Sequence, residues 1–270
     1  MTAGFAHFLM FLAVAVLLAA SLVWRRLAPH GLTLPRHPFA WLGAGFWLML
    51  TGLALNVAAT LSALGFTTPG DVIDYLLTTG PGRAALVTLL GTTLLLVAEV
   101  GEWSAPVARS GAAAGVTVML WGLAGLGHGA DHESVLVRAA HALHSGAMGG
   151  WVGGMLMLVV GRPTHWTRMA RAFSPLALTC VVVLGVSGVL MGVSHAGPPG
   201  QWTASPYGRT LLLKLLAVLG VLTAAWRVRR HRSDRPADVP FLALRVELGL
   251  LLVVLVLTAV LVISASPTHG

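Results

Sequence analysis

Apolar runs of about twenty residues, each closed by charge or by a cluster of glycine and proline, recur along the chain and read as helices that cross a bilayer. Eight such runs lie near residues 4–24, 40–62, 83–103, 108–127, 135–160, 173–195, 207–227 and 241–264. The third and fourth are barely separated, since Glu99 and Glu102 close one and Arg109 opens the next; six or seven spans is the alternative count. The first run reaches Trp24 with no basic residue before it and Arg25 and Arg26 after it, which marks a first span rather than a cleaved leader. The longest link, 62–82, carries turn residues at both ends of an amphipathic middle, GFTTPGDVIDYLLTTGPG, and predicts a short surface helix. The expected fold is all-α: a polytopic transmembrane helical bundle of about eight spans, forming a single integral membrane domain over residues 1–270.

Composition agrees, with 56% hydrophobic and 10% charged residues and a mean hydropathy of +0.84. A formal charge of +8 could by itself serve nucleic-acid binding, but the basic residues sit in the short links, where membrane topology places them. The lipid bilayer is the expected partner and nucleic acid is not. With the N-terminus outside, Arg25, Arg26, Arg36, Arg109, Arg162, Arg168, Arg171, Arg227, Arg229, Arg230, Arg232 and Arg235 all fall in cytoplasmic links, twelve of the seventeen Lys and Arg. Asp71, Asp74, Asp131 and Glu133 fall in the opposite links. Both termini and the 127–134 link are therefore expected on the outer, periplasm-like side. The single cysteine, Cys180, lies in an apolar run, where it reads as a packing residue; it allows no intrachain disulfide and no CxxC motif.

Candidate chemistry concentrates between Gly127 and Gly154. His141, His144 and Met148 stand at offsets of three and seven, so on a helix they share one face. A helix starting near Val135 puts His141 about 9 Å and His144 about 13 Å below its start, a depth at which polar groups need partners. Met191 and His195 share a face near the outer end of the sixth span, and His128 closes the fourth at the same level, with His132 in the link beyond. Three spans thus bring imidazole or thioether to one depth. That donor set suits copper better than magnesium or calcium, and copper(I) better than copper(II), because thioether is a soft ligand. Zinc would accept the histidines but gains little from methionine.

Other features weigh less. His7 and Met10 could add a further face at the outer end of the first span, although such a pair reads first as core. His30, His37, His165 and His231 lie among arginines in cytoplasmic links and read as solvated loop residues. Lys214 and Glu247 are intramembrane charges at depths differing by roughly 10 Å, suited to structural pairing or proton relay. Arg138 reads as an interface residue with a snorkelling side chain. Gly149, Gly150, Gly153 and Gly154 would let helices approach closely. No GxSxG, P-loop, HExxH or dinucleotide-binding fingerprint occurs, and no enzymatic turnover is expected.

Four stretches, in this order, resemble the copper resistance protein D (CopD) family over roughly residues 120–267. They are GLGHGA at 125–130; HSGAMGGWVGGM at 144–155; FSPLAL at 173–178 with SPYGRTLLLKL at 205–215; and RVELGLLLVVLVLTAVL at 245–261, followed by Pro267. The resemblance implies a multi-pass protein of the bacterial inner membrane in copper homeostasis, thought to move copper toward the cytoplasm and to work with a periplasmic copper-binding partner of the CopC type. It singles out His128, His144, Trp151, Tyr207, Arg209, Lys214 and Glu247, whereas His132, His141 and His195 come from the residue pattern alone. No copper-binding domain is fused to the chain and no Met-rich loop is present, so capture from outside would call for the partner.

Three functions follow. The first is a copper-binding vestibule built from the fourth, fifth and sixth spans, with His128, His132, His141, His144, Met148, Met191 and His195 as ligands or relays. Trp151, Tyr207, Arg209, Lys214 and Glu247 would line or tune its pathway. The second is a membrane cytochrome or reductase holding haem b between two histidines, His144 and His195 being the obvious axial pair. The third is an assembly protein whose histidines serve only helix contacts.

Overall fold

The computed structural model describes residues 2–33, 38–66, 68–126, 134–161, 166–195, 202–203, 205–234 and 241–263, and among these it is helical with no strand. The first helix, α1 (Thr2–Leu18), passes through a π turn at Ala19–Val23 into α2 (Trp24–Leu27) and a final 3-10 turn at Ala28–His30. Then follow α3 (Pro38–Leu64), α4 (Pro69–Thr78), α5 (Gly80–Val100), α6 (Ala105–Ala124), α7 (Val135–Val160), α8 (Trp166–His195), α9 (Pro206–Asp234) and α10 (Phe241–Ile263). Among the described residues, eight segments are long and apolar enough to cross a membrane, and they coincide with the eight expected runs.

The bundle is arranged around its first span. That span is buried along most of its length, with Met10, Leu17 and Leu27 fully enclosed, whereas the outer helices turn large apolar residues such as Trp47, Leu90 and Val189 outward, as lipid contact requires. Glycines set the close approaches. On α7, Gly149 and Gly153 face α1 at Val14 and Ala15, while Gly150 and Gly154 face α8 at Cys180 and Phe173. The expected glycine pairs thus serve two interfaces at once. Gly91, Gly115 and Gly122 seal the α5–α6 hairpin in the same way: a Cβ on Gly115 would stand 2.5 Å from the Leu95 backbone nitrogen.

The two arginines that close the first run rivet the same end of the bundle. Arg25 pairs with Glu99 of α5 at 2.8 Å, and Arg26 donates to the Ala172 carbonyl of α8 at 3.1 Å. Charge marked the end of the first span in the sequence, yet the helix runs on to His30, because both guanidinium groups find partners on neighbouring helices.

The short surface helix is present as α4. Thr68 and Asp71 form a reciprocal capping box at its start, with the Asp71 amide donating to the Thr68 hydroxyl at 3.3 Å and the Thr68 amide donating to the Asp71 carboxylate at 2.8 Å. Tyr75 buries its ring against the bundle, and burial raises its phenol above the ordinary value, partly offset by a hydrogen bond with Thr60.

Candidate functional site

Helix α7 begins cleanly because the Ser134 hydroxyl accepts from the Val137 amide at 3.3 Å, and it ends at Gly161. Those bounds put His141, His144, Met148 and Trp151 on one stripe, successive members three or four residues apart. The stripe meets α8. His144 Nδ1 lies 3.0 Å from the Ser187 hydroxyl, and its ring edge lies beside Gly188. Met148 and Trp151 are buried, each 5% exposed, so the stripe points into the bundle rather than at lipid.

Register follows from these contacts. His144 stands opposite Ser187, Gly150 opposite Cys180 and Gly154 opposite Phe173, so α7 and α8 run antiparallel. At 1.5 Å per residue, Met191 lies about 6 Å and His141 about 4.5 Å beyond the His144–Ser187 level, toward the end that the arginine pattern marks as outer. The two therefore share a level. Cys180 lies two turns deeper, about 10 Å below Ser187, where its thiol packs on Gly150.

Helix α9 brings a charge close to this seam. Its start is built by Ser205, which accepts from the Gly208 amide at 3.0 Å, by Pro206 in the first turn, and by Gly208, whose missing side chain admits the Trp202 backbone. Much of the SPYG stretch is thus a helix start. From there Lys214 descends about 12 Å, close to the depth of His144, and its ammonium and the His141 ring both act electrostatically on His144. Glu247 is buried on α10. With Gly220 of α9 set against Leu250 of α10, Glu247 lies about 13 Å from the level of Lys214, somewhat more than the roughly 10 Å expected.

The other expected residues divide by place. His128 and His132 fall in 127–133, outside the described residues, as does the side chain of His195. The α8 backbone nonetheless carries His195 about 12 Å beyond Ser187. Tyr207 is half-buried in the first turn of α9, and Arg209 is exposed. Among the described residues no three His, Cys, Asp or Glu side chains gather as a metal site.

Two contributions were not visible beforehand. Ser187 sits in an apolar run with a serine's usual helical back-bond as its obvious role, and only the α7–α8 register reveals its bond to His144. Arg138 has a definite seat on the end of α6. Its Nε and one terminal nitrogen donate to the Trp121 carbonyl at 3.3 and 3.2 Å, and its guanidinium carbon lies 4.8 Å from the centre of the Trp121 ring. The last carbonyls of α6 have no partner within their own helix, and a cation there also suits the negative end of the helix dipole.

The copper resistance protein D family model matches residues 167–261. That range contains the stretches at 173–178, 205–215 and 245–261, while those at 125–130 and 144–155 precede it. No curated protein and no solved structure matches the chain. Over residues 167–261 the chain is therefore similar to copper resistance protein D, and its eight long apolar helices are those of a multi-pass membrane protein.

Proposed function

We propose that this protein binds copper(I) in a vestibule at the outer end of the α7–α8 seam and passes it across the inner membrane toward the cytoplasm. The observation that carries the reading is the inward-facing His141–His144–Met148 stripe, levelled with Met191 on α8 and lying within the same bundle as the matched domain. The donors fit the cargo. Among the described residues, imidazole and thioether are available without a carboxylate shell, which favours a soft monovalent ion over hard divalent cations.

His141 and Met191 would take the ion first, His144 and Met148 next, about one turn deeper each. His128, His132 and His195 remain candidates for the mouth, Trp151 for the wall below it, and Tyr207 and Arg209 for the head of α9. Lys214 and Glu247 would balance charge along the path. A periplasmic partner of the CopC type would deliver the ion. The α8 register counts against the haem alternative, because the His144 and His195 backbones lie at levels about 12 Å apart, whereas axial ligands to one haem iron face each other across it.

The direct test is copper(I) uptake into proteoliposomes holding the purified protein. Wild type should accumulate copper, and a His141→Ala/His144→Ala variant should lose at least nine-tenths of the initial rate. Equal rates from both would remove these histidines from the path.

A further inference from the structure

Each nitrogen of a neutral histidine does a different job, and here the hydrogen bonds decide which is which. The Ser187 hydroxyl lies 2.5 Å from the Val183 carbonyl and 3.0 Å from His144 Nδ1. A carbonyl can only accept, so the one hydroxyl hydrogen is directed at Val183. Ser187 must then accept from His144, and the donor is Nδ1–H. The second ring nitrogen, Nε2, is left with its lone pair. Ser187 is 3% exposed, so solvent offers the hydroxyl no competing partner.

We infer that Ser187 is a positioning residue that holds His144 as the Nδ1–H tautomer and so commits Nε2 to copper(I), an inference that rests on His144 being a ligand. The chain Val183 carbonyl, Ser187 hydroxyl, His144 imidazole anchors the ring to the backbone of α8, although the imidazole belongs to α7. A metal-binding histidine is ordinarily oriented by such a bond from its other nitrogen, and losing the outer partner typically costs 10–100-fold in metal affinity. The α7–α8 spacing at this level therefore also sets the aim of the ligand. A relative slide of the helices by one turn, about 5.4 Å, would break the bond and free the ring.

The test uses full-length protein in nanodiscs with 15N-labelled histidine, the His144 resonances being identified by their loss in His144→Gln. Wild type should show protonated Nδ1 and bare Nε2 without copper. Ser187→Ala should shift the ring to the other tautomer or a mixture, while Ser187→Thr, which keeps the hydroxyl, should retain the wild-type pattern. Copper(I) competition titrations should show a 10–100-fold loss for Ser187→Ala and near wild-type affinity for Ser187→Thr. A wild-type ring protonated on Nε2, or a tautomer unmoved in Ser187→Ala, overturns the inference. If the tautomers behave as expected but His144→Gln binds copper(I) as tightly as wild type, the hydrogen bond stands, and both the copper role given to it and the reading of His144 as a ligand fall.

Discussion

At the scale of single residues, the cost of polar groups inside a bilayer explains most of the contacts that matter. Arg25 and Glu99 show the rule: the carboxylate is nearly enclosed, with 9% of its side chain exposed, and its visible partner is a guanidinium on another helix. Arg25→Ala would leave that carboxylate uncompensated at a cost of about 3 kcal/mol, the low end for a broken buried pair because Arg25 keeps a third of its own surface exposed. The expected result is a lowered midpoint of thermal unfolding in detergent, with much of the loss recovered in Arg25→Met/Glu99→Met, where no buried charge remains. His144 and Ser187 follow the same logic with neutral groups. The histidine face was legible in the sequence because offsets of three and seven fix a helical stripe whatever its neighbours are. Ser187 and the seat of Arg138 were not legible, since each depends on which residue of another helix comes opposite, and periodicity holds no information on that register.

At the scale of helices, length and capping fixed the spans, and small residues fixed how near they come. Span α7 was legible at both ends, Val135 and Val160, because Ser134 caps one and Gly161 terminates the other. The first span ran on past Arg25 and Arg26 because partners on α5 and α8 absorb their charges. The paired glycines of α7 were legible as packing positions, but not which neighbour each one meets. Gly154 holds the space that the Phe173 ring fills, and a Cβ there would collide with it, whereas Gly185 has nothing within 4 Å of such an atom. Gly154→Ala should therefore destabilise by about 1–3 kcal/mol through overpacking. Gly185→Ala on the open face of α8 should be neutral or stabilise by up to about 1 kcal/mol through helix propensity. Chemical unfolding of the two variants in mixed micelles measures both, and equal effects would mean that the α7–α8 contact is looser than these positions indicate.

At the scale of the whole molecule, the arginine distribution and the packing make one proposal about direction. Arg25 and Glu99 meet at the ends of two spans that the charge pattern runs the same way through the membrane, and Arg26 reaches the start of α8 at that end. The same pattern puts both chain ends and the histidine-rich mouth outside. Alkaline phosphatase fused to either terminus should be active, and a fluorescent protein that folds only in the cytoplasm should stay dark there. The reverse outcome would turn the vestibule inward and reverse the proposed direction of transfer.

Copper held by imidazole and thioether in the α7–α8 seam is the proposal on which the rest depends. Copper content and the visible spectrum of purified protein test it most directly, with wild type measured beside a folded His141→Ala/His144→Ala variant after exposure to copper(I) and desalting. The expected result is about one copper per wild-type chain, loss of that copper in the variant, and no Soret band in either. Copper retained equally by both, or a Soret band in wild type that disappears with the histidines, would contradict it.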